Sequence, residues 1–280
     1  MSLRKGLKPL FIYLFLTIYG ITTIFPFLWM VITTFKSKGA VFEFPPQLVP
    51  DLMFKPGMWD NYAKVLFEHH FMLYLWNSTF ISLTASFGQL LTCSLAGFAF
   101  ARMQFAGKHI IFSILIGTMM IPGEVTIIPE FLMFSKLGWL NTFAPLIIPS
   151  LLVGTFGTFL LKEFYSTVPA GLEEAAIIDG CSSFRVYRDI FLPLSGPPLA
   201  TLFVIAFMNN WNDLLRPVLY THSPALRTVS QGLMEFHSVY STDWTLLMTA
   251  SVIALLPIIV VYVFNQRYIL DGMISSGMKG

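Results

Sequence analysis

The sequence predicts an all-α membrane protein, and three observations carry that prediction. Apolar residues make up 55% of the 280-residue chain, charged residues only 11%, and the mean hydropathy is +0.71. A soluble domain of this length rarely reaches that balance. The charged residues are also spaced widely. Between them lie stretches of the roughly 20 residues that a helix, rising about 1.5 Å per residue, needs to cross a hydrocarbon core about 30 Å thick. The third observation is residues 163–198, too polar to span yet patterned as short helices.

The charge gaps give six spans. Nothing charged lies between Lys8 and Lys36, so residues 10–34 form the first. Its apolar stretch is longer than a signal-peptide core, and no small-x-small site precedes Lys36, so it reads as a retained anchor. The second runs over 71–101, between Glu68 and Arg102. The third, 109–134, meets Pro122-Gly123 and Glu124 early and is expected to break there. The fourth occupies 140–161, the fifth 199–220 and the sixth 244–264, all within a single transmembrane domain spanning 1–280. An outer loop over 36–70 carries Pro45-Pro46, Pro50, Pro56-Gly57 and Trp59-Asp60-Asn61-Tyr62. Its aromatics suit either interface anchors or contacts for a docking protein.

Lysine and arginine placement orients the bundle. With both termini cytoplasmic, ten of these residues face inward (Arg4, Lys5, Lys8 and Arg102 among them) and seven face outward, Lys36 and Arg216 included. Net charge is +2, which gives no reason to expect a nucleic-acid partner. Cys93 and Cys181 form neither a disulfide framework nor a zinc site. The chain has no phosphate-binding G-x-x-x-x-G-K-[ST] loop, no G-x-G-x-x-G motif and no nucleophile–base–acid set, so no catalytic site is expected. If transport is ATP-driven, the nucleotide and its magnesium belong to another chain.

Within 163–198, Pro169 suits the first turn of a helix, and Glu173 and Glu174 favour its positive end. Leu172, Ala175, Ala176 and Asp179 share a side by i, i+3, i+4 spacing, and Gly180 is a left-handed stop. Ser182 or Ser183 caps a second short helix through Phe184, Val186, Tyr187 and Ile190, which Leu192-Pro193 ends. Small residues at 175 and 176 admit a partner closely, and Glu174 offers a charge-assisted contact. The alternative is an interfacial helix lying on headgroups. That wants a basic face, which Glu173, Glu174 and Asp179 deny it.

Glu174-Ala175-Ala176, then Gly180 after three residues, then Ile190, Leu192 and Pro193 after nine more, resemble the cytoplasmic signature of binding-protein-dependent ABC importer permeases. The maltose-type sugar permease family is the version most similar. Met120-Ile121-Pro122 through Pro129, Leu137-Gly138, Asn141-Thr142, Trp211-Asn212-Asp213 with Pro217, and Gln266-Arg267-Tyr268 through Met278-Lys279-Gly280 extend the likeness. Glu124 and Glu130 depart from it. The resemblance implies a type I importer bundle in the inner membrane, with a coupling helix seated in a cytoplasmic ATPase subunit. It also implies a second, related permease subunit in a heterodimer, two ATPase subunits that bind ATP and Mg, and an external solute-binding protein. Sugar is the expected cargo; glycerol phosphate is open within the wider family.

Asn209, Asn210, Trp211, Asn212 and Asp213, followed by Arg216, put an unusual polar density into the fifth span. Uncompensated polar groups in hydrocarbon cost several kcal/mol each. They therefore line a substrate path, glue helices together, or surface near the outer interface. Asp213 and Arg216 are placed to neutralise each other at i, i+3. A stand-alone secondary transporter is the competing class, and it would show an internal repeat that is not apparent here.

Overall fold

The computed structural model describes residues 3–45, 47–237 and 242–277. Pro46 and the Met278-Lys279-Gly280 tail lie outside the described residues, as do the side chains of Arg4, Lys5 and Lys8. The described elements are helices, apart from an isolated bridge between His237 and Thr242.

Four stretches are long and apolar enough to cross a membrane: Phe11–Thr34, Phe71–Arg102, Ala144–Thr167, which leaves the helical path over 152–154, and Trp244–Tyr268. Two more pass only as bent pairs, which brings the total to six. One is Lys108–Thr118 with Gly123–Lys136, turned by 99°, and the other is Ser183–Leu194 with Gly196–Asn212, turned by 78°. The first bend falls where Pro122 stands. That residue adopts ψ 133°, outside the helical range, and becomes the N-cap of the helix after it.

Two expectations need correction. A continuous fifth helix over 199–220 is not what forms: Gly196–Asn212 stops, and Leu215–Tyr220 starts anew. Asp213 is extended, and its carboxylate accepts from the Arg216 backbone N–H at 3.3 Å, so a side chain competes with the helix ladder and caps the next turn. Leu192-Pro193 likewise does not end the second loop helix. The helical path widens to a π turn over Tyr187–Phe191 and continues through Leu192–Leu194, breaking at Ser195. A proline in a first turn has no N–H to lose, so Pro193 is tolerated there.

The helices cluster into two compact units, Met1–Met72 with Gly232–Leu256, and Leu73–Gln231 with Pro257–Gly280. Charge gaps locate spans but carry no information on which helices pack.

In the first unit the segment after Thr34 is tied down by polar and aromatic contacts. Asn61 donates to the Thr34 and Lys36 carbonyls at 2.8 and 3.0 Å. Lys38 pairs with Asp243 at 3.0 Å. Phe35, Trp59 and Tyr62 pack with ring centroids 5.4–5.8 Å apart. Burial pushes the Asp51 carboxyl up, but hydrogen bonds from Ser37, its N–H at 2.9 Å, outweigh that and hold it below its usual value.

We label the helices of the second unit that carry the argument α1 (Phe71–Arg102), α2 (Gly123–Lys136), α3 (Thr155–Thr167), α4 (Ala170–Ile178), α5 (Ser183–Val186), α6 (Gly196–Asn212) and α7 (Leu215–Tyr220). Small residues set the distance between α1, α3 and α6. A Cβ on Gly97 would lie 2.9 Å from Leu161 Cβ and 3.0 Å from the Lys162 backbone nitrogen. One on Gly157 would lie 2.8 Å from both Cys93 Sγ and Leu202. Helices in a membrane gain little from apolar burial against one another, so this close approach carries their association. Gly97→Val should therefore cost about 1–3 kcal/mol through overpacking. A thermal scan of the solubilised protein should show a clearly lower melting temperature; an unchanged one would contradict the close approach.

Candidate coupling element and polar cavity

Between α3 and α6 the chain builds a bracket. Pro169, with ψ 133°, is the N-cap of α4 and stands one position ahead of its expected place. At the far end Gly180 adopts φ +79°. Its N–H donates to the Ile177 carbonyl at 3.0 Å, and the Cys181 N–H donates to Ala176 at 2.9 Å. These are the two bonds of a Schellman stop, which requires a left-handed residue where Gly180 sits. Ser182 then caps α5, accepting from the Arg185 N–H at 3.4 Å. The turn is rigid because its backbone groups are satisfied.

The bracket has an inner and an outer side. Ala176, Val186, Tyr187 and Phe191 enter a core with Phe98, Leu161 and Tyr165, and Ile190 and Leu192 pack against it. Tyr187 O–H and Ser94 Oγ lie 2.6 Å apart, bonding α1 to the bracket. Outward stand Glu174, Ala175, Asp179, Gly180 and Pro193, with Leu172, Ile177, Phe184 and Ile178, the last 86% exposed. The expectation that both alanines face a partner is corrected: Ala176 is 8% exposed and belongs to the seat, so only Ala175 opens the outer surface. Glu174 forms no ion pair among the described residues, whereas Glu173 does.

Its partner is Arg102, at the last turn of α1. Arg102 donates twice to the Tyr165 carbonyl, at 3.1 and 2.6 Å, and once to the Val168 carbonyl. Its remaining nitrogen lies 3.7 Å from Glu173. The guanidinium also sits over the Phe191 ring, 5.0 Å from its centroid. At the end of α3 the Tyr165 carbonyl also accepts from the Val168 N–H at 3.3 Å, and a cation beside these last carbonyls adds donors and opposes the helix dipole. One side chain thus joins α1, the end of α3 and both halves of the bracket. The residue is plain in the sequence, but its partners lie more than sixty positions away, where periodicity cannot reach.

The second feature is a cavity of about 320 Å³ in the same unit. Of the residues expected on a substrate path, Asn209, Asn210 and Asp213 line it, joined by Gln89, Glu130 and Arg216. Asn212 is exposed elsewhere. Trp211 turns away: it is 2% exposed and stacks on Phe207 at 5.5 Å, so it is a core residue and no platform for a ring. Across the cavity wall, Arg216 lies 3.5 Å from Glu130 and 3.9 Å from Asp213. Glu130 also accepts from Thr126 at 2.6 Å and from the Tyr220 hydroxyl at 3.1 Å, which binds α2 to α7.

Membrane-length helices with a bracket at one end of α1 and a polar cavity suit a component of a membrane transport system. Residues 93–275 match the family of binding-protein-dependent transport system inner membrane components. The chain is 31% identical to the trehalose/maltose transport system permease protein of Thermococcus litoralis, over 99% of each chain. It is equally 31% identical to the sn-glycerol-3-phosphate transport system permease protein of Yersinia pestis, over 98% of each. In fold it is similar to a chain of a bacterial ABC transporter involved in the import of the acidic polysaccharide alginate. That match has a TM-score of 0.83 at 20% identity and covers 96% of this chain and 99% of the other. This chain belongs to the binding-protein-dependent ABC transporter permeases of the inner membrane.

Replacing Arg102 by Met keeps the stem but leaves the Val168 carbonyl and Glu173 without their partner and the Tyr165 carbonyl with the Val168 N–H alone, a loss of about 1–3 kcal/mol per buried unsatisfied group. Hydrogen exchange over residues 170–191 should accelerate in that variant while α1 stays protected. Unaltered exchange would mean that the bracket is held by its apolar side alone.

Proposed function

We propose that this chain forms half of the translocation path of an ATP-driven importer whose cargo is a sugar or oligosaccharide delivered by an external binding protein. The observation that carries the reading is the two-sided bracket. Its inner face is fused to the bundle through Arg102 and the Phe98–Tyr165–Phe191 core, and its outer face presents Glu174, Ala175, Ile177 and Ile178. An element built this way transmits a push from a partner to the helices without bending.

In this reading Glu174 meets a basic group of the ATPase subunit, Ala175 permits close approach, and Asp179 and Gly180 form the turn that keeps α4 and α5 at a fixed angle. Ala176, Ile190 and Leu192 serve the seat, and Pro193 stands on the outer side. ATP and Mg bind to two ATPase partner chains and none to this one. A second, unlike permease of the same family supplies the other half of the path. Both termini and the bracket face the cytoplasm, which agrees with the excess of Lys and Arg assigned to that side. Asn209, Asn210 and Asp213 form this chain's share of the path.

Two variants test the coupling role. Glu174→Lys should reduce co-purification of the ATPase subunit on the order of tenfold, by replacing a charge-assisted contact with repulsion. Equal recovery from membranes with equal permease levels would contradict the assignment. Gly180→Val forces a branched residue into the left-handed region, at a cost of about 1–2 kcal/mol. That variant should insert normally yet lose sugar uptake; normal uptake would show that the turn angle does not matter.

A further inference from the structure

We propose that the polar cavity is a charge filter that admits neutral polyhydroxylated solutes and repels phosphorylated or carboxylated ones, with Glu130 setting its sign. The inference rests on the importer reading above and narrows its cargo.

Arg216 is the one cation among the described residues lining the cavity. Both of its flanks are taken, by Glu130 at 3.5 Å and Asp213 at 3.9 Å. Two carboxylates against one guanidinium leave a negative charge over. An anionic solute would have to strip a carboxylate from Arg216, leaving that carboxylate unpaired, and would meet the surplus charge as well. A neutral hydroxylated solute meets a different surface. The side-chain amides of Gln89 and Asn209 make no hydrogen bond to any described residue, and an amide both donates and accepts, as a sugar hydroxyl does. Glu130 is the deciding carboxylate because it arrives from a separate helix. It is also held in place by Thr126 and Tyr220, whereas Asp213 is engaged in capping its own chain.

The test places a thiol in the cavity. In the assembled transporter, with Cys93 and Cys181 replaced by Ala, Asn209→Cys is modified by cationic and anionic thiosulfonate reagents of equal size. Rates are normalised to a free thiol. The cationic reagent should react roughly tenfold faster than the anionic one, the ratio expected for one surplus charge a few ångströms away in a largely aqueous site. Glu130→Gln should bring the ratio close to one, and Glu130→Asp should restore most of it, which separates charge from shape. No preference in the Glu130 protein, or a preference that Glu130→Gln leaves intact, overturns the filter. Uptake of a neutral disaccharide is measured on the modified protein in parallel. Blocked uptake supports the path; undisturbed uptake overturns the path reading, and selection by the filter with it, even where the charge ratio holds.

Discussion

The second unit depends on one guanidinium. Arg102 ends a 32-residue helix, donates to the carbonyls at the end of α3, pairs with the first turn of α4 and covers Phe191 beyond α5. No apolar contact could do this, because the groups it meets are polar and come from three segments. A lysine would be a poor substitute, since the contacts use several nitrogens of a planar fork at once. With the clamp in place the bracket is joined to α1 and α3 by polar contacts as well as by its apolar side. Without it, the same residues would form a pair of short helices resting on an aromatic core.

The two polar features of the unit follow the same rule and serve opposite ends. At the bracket, Arg102 turns all of its donors inward, so that Glu174 is left free on the outside. In the cavity, Arg216 pairs with Glu130 and Asp213, and the amides of Gln89 and Asn209 make no hydrogen bond to any described residue. Each cation serves structure, and the polar groups it does not use are those the proposed function assigns to a partner or a solute. The bend between α6 and α7 belongs to this arrangement. A straight helix through residue 213 would hold the Asp213 carboxylate on the helix surface and deny the Arg216 N–H its cap.

Much of this was legible in the sequence where the physics is local. Charge-free stretches coincide with long helices, Pro122 marks a sharp bend, and the glycine at 180 with serine at 182 closes and reopens a helix as their chemistry dictates. The resemblance through Glu174-Ala175-Ala176 to Pro193 led to the right family. What escaped was long-range or directional. Spacing groups Ala175 with Ala176 yet cannot say which of them faces the bundle. Polar neighbours suggested that Trp211 looks into a path, but its ring finds Phe207 one turn away. Glu130 departs from the family pattern as it was read, and its partner Arg216 comes from a distant helix. The pairing therefore appeared only in three dimensions.

The central claim is that the outer face of the bracket is where a separate nucleotide-driven subunit takes hold. A photo-reactive residue placed at Ile178 in the assembled transporter tests it most directly, since that side chain is 86% exposed and contributes nothing to the core. The account predicts a covalent adduct with the ATPase chain. Adducts confined to lipid, or to a protein outside the membrane, would contradict it.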